Sequence, residues 1–322
     1  MTSGSFDFTP LFPAGLPAPA VKWTGASRYN FTGGNNDADQ VPVDGLIAAA
    51  NAVLQREGRT LSSYGLASGP QGYRPLREFL AAKLKRDAGI SCSFDDILIV
   101  SGSLQALDLV NGALLARGDT VIVEQDTYQG ALTRLMRLGV NAVGIPLDNE
   151  GMRIDALAAA LAGLKRQEIR PKYIYTIPTV QNPTGTIMNE QRRLELLRLS
   201  EEYGVPVFED DCYSDLVWAG TRPPALYAMS KTGGVIHIGL FFQVDRAGLA
   251  GRLHRRALAD ALALARAQDR LGLRRARADG AGGVLRAAFC RARAGAAARP
   301  ARQAGNADGR AQRTVRHGGR VR

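Results

Sequence analysis

The residues able to do chemistry fall in four short groups, each just past an apolar run. Glu209-Asp-Asp-Cys-Tyr213 follows Val205-Pro-Val-Phe208. Three acids beside a buried strand are costly unless something compensates them. A cation such as a protonated ring nitrogen would do so; solvated loop acids or a helix cap are the alternative. Pro178-Thr-Val-Gln-Asn-Pro-Thr-Gly185 follows Tyr173-Ile-Tyr-Thr-Ile177 and is rich in turn formers. It is either a plain turn or a rigid mount that offers the Asn182 amide to a ligand oxygen. Ser101-Gly-Ser-Leu104 leads from Ile97-Leu-Ile-Val100 into a helical pattern. A small-residue turn at a helix N-terminus presents free N–H groups and a positive dipole end, which suits a phosphate. Ser103 as a simple N-cap accounts for the same residues. Glu124-Gln-Asp-Thr-Tyr128 follows Thr120-Val-Ile-Val123. Tyr128 is placed to stack on a planar ligand or to pack half-buried.

These groups need elements to position them, and the pattern supplies alternating ones. Apolar residues at helical spacing predict helices over 75–88, 104–115, 130–138, 154–165 and 190–203. Short apolar runs predict strands over 97–100, 120–123, 142–145, 173–177, 205–208 and 235–238. This alternation predicts an α/β fold, a mostly parallel sheet with helices on both faces. Ligands of such sheets sit at the carboxyl ends of the strands, where the four groups fall. No internal repeat is present.

The chain has 322 residues, enough for a sizeable core, and 45% hydrophobic content suits a soluble globular protein. No apolar run spans a bilayer. Residues 1–22 lack a basic segment followed by an apolar one, so no signal peptide is expected. Their prolines and glycine suggest an extended arm. Cys92, Cys212 and Cys290 have neither metal-ligand nor disulfide spacing and read as small buried thiols in a reducing compartment, hence the cytoplasm.

In this order and spacing the groups resemble the aspartate-aminotransferase fold family, the fold-type I pyridoxal-phosphate enzymes. The subgroup of 2-aminoadipate and kynurenine aminotransferases, which includes the aminotransferase-like half of some transcription regulators, is the most similar. Tyr64-Gly-Leu-Ala-Ser-Gly-Pro-Gln-Gly72 with Leu76-Arg77, Ser101 to Leu109, Asn182-Pro-Thr-Gly185 and Asp210-Asp-Cys-Tyr213 carry the resemblance, over roughly residues 25–240. It implies pyridoxal 5′-phosphate as cofactor and amino-acid and 2-oxo-acid substrates. Ser103 and the Leu104 backbone would hold the phosphate, and Tyr128 would stack on the pyridine ring. Asn182 and Tyr213 would bind the ring's phenolic oxygen, and Asp210 the ring nitrogen. Tyr64 would reach the phosphate in a neighbouring subunit, implying a homodimer. Gly34 would lie near the substrate carboxylate, with Asn182. The implied domains are an arm and part of a small domain over 1–50, and a cofactor-binding large domain over 51–240.

The resemblance stops near Leu240. Counting on from Asp210, the Schiff-base lysine belongs near Gln243-Val244, and no lysine follows Lys231. Lys231 comes too early to be the nucleophile. No catalytic residue is therefore assigned, and the chain is expected not to transaminate. Residues 241–322 hold 19 Arg, 22 Ala, five Asp and no Lys or Glu, a net +14; the chain is +11, so residues 1–240 carry −3. Back-translated codons read one base later from Leu240 permit Ser-Phe-Ser-Lys at Gln243-Val244, and family-like sequence again at Gln268 to Gly282. The expectation is a changed reading frame that replaces the small C-terminal domain with an aberrant basic tail. The tail is expected to be helical around 257–267 and disordered beyond about residue 295. It has three Phe but no Tyr or Trp, so no nucleic-acid partner is expected. The alternative function is a pyridoxal-phosphate-binding regulatory module without catalysis. Such regulators carry a winged-helix domain before this region, whereas only residues 1–24 precede it here.

Overall fold

The computed structural model describes residues 7–12, 25, 41–63, 68–217 and 219–240. The chain divides into two units, residues 1–41 and 42–322. Among the described residues of the first, a 3-10 turn spans Thr9–Leu11, with the Thr9 N–H donating to the Asp7 carboxylate at 2.9 Å.

The second unit is built on a five-stranded parallel sheet. Its elements are helices α1 (Val43–Glu57), α2 (Arg74–Ala88), α3 (Ser103–Leu114), α4 (Gln129–Leu138), α5 (Ile154–Arg166), α6 (Glu190–Tyr203) and α7 (Leu226–Met229). The strands are β1 (Thr120–Glu124), β2 (Asn141–Ile145), β3 (Leu147–Asp148), β4 (Gly151–Met152), β5 (Ile174–Thr176), β6 (Val207–Asp211) and β7 (Val235–Gly239). The sheet order is β2-β1-β5-β6-β7, every pair parallel, and β3 and β4 form a separate antiparallel pair. Strand side chains alternate between faces. Val121 and Val123 of β1 pack with Leu107 of α3 and Leu135 of α4, whereas Ile122 packs with Leu157 and Leu161 of α5 and Leu196 of α6. Both faces are thus covered, as the alternating pattern predicts.

Two differences from the sequence reading bear on the site. Residues 97–100 form no strand and join no sheet among the described residues; Ile99 N–H donates to the Gln71 carbonyl at 2.9 Å. A strand needs a ladder of neighbours, and none of the described strands offers these residues one. The second difference is β6, which runs on to Asp211 and holds all three acids inside the sheet between β5 and β7. Glu209, Asp210 and Asp211 are all buried, so they are neither loop nor cap acids. Helix α1, which no sequence signal had marked, runs through position 50.

Candidate functional site

The carboxyl ends of β1, β5 and β6 and the start of α3 bring the four groups together. Gly102 precedes α3 with φ 86° and ψ 169°, a conformation open essentially to glycine alone. Ser103 is consequently the first helical residue and makes no side-chain cap, which corrects the N-cap alternative. The first ladder bond runs from Ala106 N–H to the Gly102 carbonyl at 3.3 Å, so the amides of Ser103, Leu104 and Gln105 have no partner within the helix. They form a cradle for an anion at a positive dipole end.

Asp210 stands beside this cradle. The Tyr175 hydroxyl donates to its Oδ2 at 2.7 Å, and the Cys212 thiol donates to its Oδ1 at 2.6 Å. Ser103 lies near enough to pull the Cys212 thiol down. Burial pushes the Asp210 carboxyl up, against the pull of those two donors. It faces neutral donors and has no ion-pair partner among the described residues. A protonated ring nitrogen is the kind of group such a carboxylate would stabilise. Burial also drives the Cys212 thiol far up, so it is a donor and not a nucleophile.

The loop after β5 carries Asn182, whose peptide bond to Pro183 is cis. The Asn182 amide donates to the Tyr213 hydroxyl at 3.4 Å, so the two groups assigned to one ligand oxygen are neighbours. Tyr128 caps α4. Its ring lies so close over Gly130 that a Cβ there would meet it at 2.5 Å. Tyr128 and Tyr213 pack against the same core cluster.

The other face of β6 carries a charged network that sequence reasoning missed. Glu209 bonds the His237 ring at 2.8 Å and accepts from the Leu226 and Tyr227 amides, while Asp211 pairs with Arg222. Glu124, Gln181, Tyr175 and Arg193 were also given no role. The available signal was a charged or polar residue interrupting or ending an apolar strand.

Tyr64, Gly34 and residues 241–322, including the Gln243-Val244 position and the expected tail helix and disorder, lie outside the described residues. Of the described lysines, Lys83 pairs with Asp215 and Asp87, Lys165 lies over the Tyr203 ring, and Lys172 meets Asp119. Lys231 precedes β7, at the end of that strand opposite Gly239. Among the described residues no cluster of His, Cys, Asp and Glu could hold a metal, and no helix is long and apolar enough to cross a membrane.

The sequence model of the family described as aminotransferase class I and II matches residues 28–243. The aromatic-amino-acid aminotransferase 1 of Thermococcus litoralis is 35% identical over 215 residues, 67% of this chain and 51% of that protein. The helix-turn-helix-type transcriptional regulator YisV of Bacillus subtilis is 37% identical over 217 residues, 67% of this chain and 42% of the regulator. The crystal structure of Pyrococcus horikoshii kynurenine aminotransferase, in complex with PMP and kynurenine, superposes with a TM-score of 0.63. It is 32% identical and covers 81% of this chain and 65% of that one. The chain spans about half the length of the curated aminotransferases it matches. The cradle at α3, the cation-lacking Asp210 and the Asn182–Tyr213 pair fit pyridoxal 5′-phosphate, the cofactor of this family. The chain belongs to the class I and II aminotransferases, pyridoxal-phosphate enzymes of fold type I.

Proposed function

We propose that this chain is the cofactor-binding part of an aminotransferase that moves an amino group between an amino acid and a 2-oxo acid, and that as written it binds pyridoxal phosphate without transaminating. The observation that carries the reading is Asp210: a buried carboxylate at a strand end, held by neutral donors next to a helix N-terminus. When bound, pyridoxal phosphate supplies an electron sink for charge that develops at the amino carbon. Ser103 and the amides at the start of α3 grip its phosphate. Tyr128 covers one face of the ring. Asn182 and Tyr213 orient it through the phenolic oxygen, and Asp210 keeps a proton on the ring nitrogen. Gly34 and Asn182 serve the substrate carboxylate, and Tyr64 serves a second subunit in a homodimer. The cytoplasm is the expected compartment.

The proton shuttle is missing, because no lysine follows Lys231. The family match ends at residue 243, just past Leu240, in support of a reading-frame change there. Titration with pyridoxal phosphate should give saturable, reversible binding. Borohydride followed by mass spectrometry should find no pyridoxyl group on any lysine, and amino transfer should be absent. A lysine adduct together with turnover would overturn the reading. Resequencing across codon 240 tests the frame change, and a clean in-frame read removes it. The similarity to helix-turn-helix regulators favours one second reading, a sensor that binds cofactor and amino acid without catalysis. An amino-acid-dependent change in the bound cofactor's spectrum without product would select it.

A further inference from the structure

Glu124 ends β1 fully buried, and no basic side chain pairs with it among the described residues. Its Oε1 meets the Thr176 hydroxyl at 2.5 Å and accepts the Ile177 amide at 3.2 Å. Its Oε2 accepts from Gln181 Nε2 at 3.0 Å. Gln181, also buried, uses every polar atom of its amide. Nε2 donates a second time to the Asp126 carbonyl at 2.6 Å, and Oε1 accepts from the Thr184 amide at 2.9 Å and the Thr184 hydroxyl at 2.7 Å. The two Thr184 donors fix which end of the Gln181 amide faces Glu124. One arm of this junction therefore holds the 125–128 loop, which carries Tyr128. The other holds the 181–186 loop, which carries Asn182.

We propose that Glu124 and Gln181 are positioning residues that lock the Tyr128 loop and the Asn182 loop to each other, so that the two sides of the cofactor site keep one spacing. The inference rests on the cofactor reading above for its consequence, but not for its geometry. Glu124 is required as an acceptor for Gln181, and its volume alone does not suffice. Removing the Gln181 side chain breaks all four of its bonds at once, and the remaining link from the 125–128 loop to Glu124 is the long Thr127 hydroxyl bond at 3.5 Å.

Hydrogen exchange on the full chain without cofactor tests the coupling. Glu124→Leu fills the space but removes the acceptor; Gln181→Ala removes the bridge. Each should speed exchange in both 125–128 and 181–186 by roughly tenfold or more while leaving β6 and β7 as in the wild type. Glu124→Gln keeps an oxygen for Gln181 and an N–H for Thr176, so it should stay within about twofold of wild type. Pyridoxal phosphate affinity should follow the same order. Wild-type protection of both loops in Glu124→Leu, or loosening of one loop alone in Gln181→Ala, would overturn the proposal. If Glu124→Leu does not fold, Gln181→Ala still decides. Coupled exchange in a chain that binds no cofactor would leave the lock standing and remove the cofactor reading.

Discussion

Arg193→Met is expected to be among the most damaging single changes to this fold, and the structure gives its size. Arg193 lies on α6 with no exposed surface. Its Nε donates to the Met188 carbonyl at 2.8 Å, and its Nη2 to the Pro178 carbonyl at 2.8 Å and the Thr179 hydroxyl at 2.9 Å. Nη1 donates to the Pro224 carbonyl at 3.2 Å and lies 3.9 Å from Glu209. One guanidinium thus fastens both ends of the loop that carries Asn182 and ties it to the segment before α7. Methionine keeps most of the stem volume, so the loss is that of the charged head. Four acceptors lose the guanidinium, of which only the Pro178 carbonyl keeps a second donor among the described residues, the Met188 amide, and Glu209 loses a nearby cation. Breaking a buried ion pair in this way costs about 3–5 kcal/mol. With an unfolding entropy near 2.1 cal/mol/K per residue and roughly 200 folded residues, about 4 kcal/mol corresponds to a fall in Tm of about 10 °C. Urea denaturation followed by circular dichroism measures it. Arg193→Lys keeps the charge but offers one ammonium to a fork of acceptors, and should lose more than half as much. A methionine variant within about 1 kcal/mol of wild type, or a lysine variant indistinguishable from it, would refute the reasoning.

Other outcomes follow from the same structure. Burial pushes the Glu124 carboxyl from 4.5 up to about 7, against the donors that pull it down. A raised folded-state pKa means stability that is complete below 4.5 and lost as the pH rises through 7, a loss of about 3 kcal/mol over that window. Relative to the non-titrating Glu124→Gln, urea midpoints of the wild type should therefore fall between these pH values and level off above; a pH-independent difference would count against it. Gly130→Ala should gain up to about 1 kcal/mol of helix propensity if the Tyr128 ring swings away. The displaced ring should cost roughly fivefold in pyridoxal phosphate affinity, since aromatic stacking is worth about 1 kcal/mol. Unchanged affinity would show that Tyr128 does not cover the cofactor.

The sheet was legible because each strand is a short apolar run and each long helix has one apolar stripe, and burial on both faces of a parallel sheet demands that pattern. Residues 97–100 misled for the same reason. An apolar run has the composition of a strand whether or not a neighbour pairs with it. The acids of β6 misled in the opposite direction. Charge usually marks a loop, and only the pairing of β6 between β5 and β7, with His237, Arg222 and the amides of α7 arrayed around it, makes a buried acidic strand possible.

By itself, then, the sequence determined the order of elements, the family, and the want of a lysine after Lys231, since each is a matter of residue types along the chain. Tertiary structure decided which polar residues became partners. Tyr175 reaches Asp210 across the 35 residues that separate them, and Gln181 reaches Glu124 across 57. Neither pairing has a local signature, because a hydrogen bond depends on where two strand ends meet in space. The same placement converts Asp210 from one of three acids in a row into the one that faces the cradle at α3, for alternate strand residues point to opposite faces.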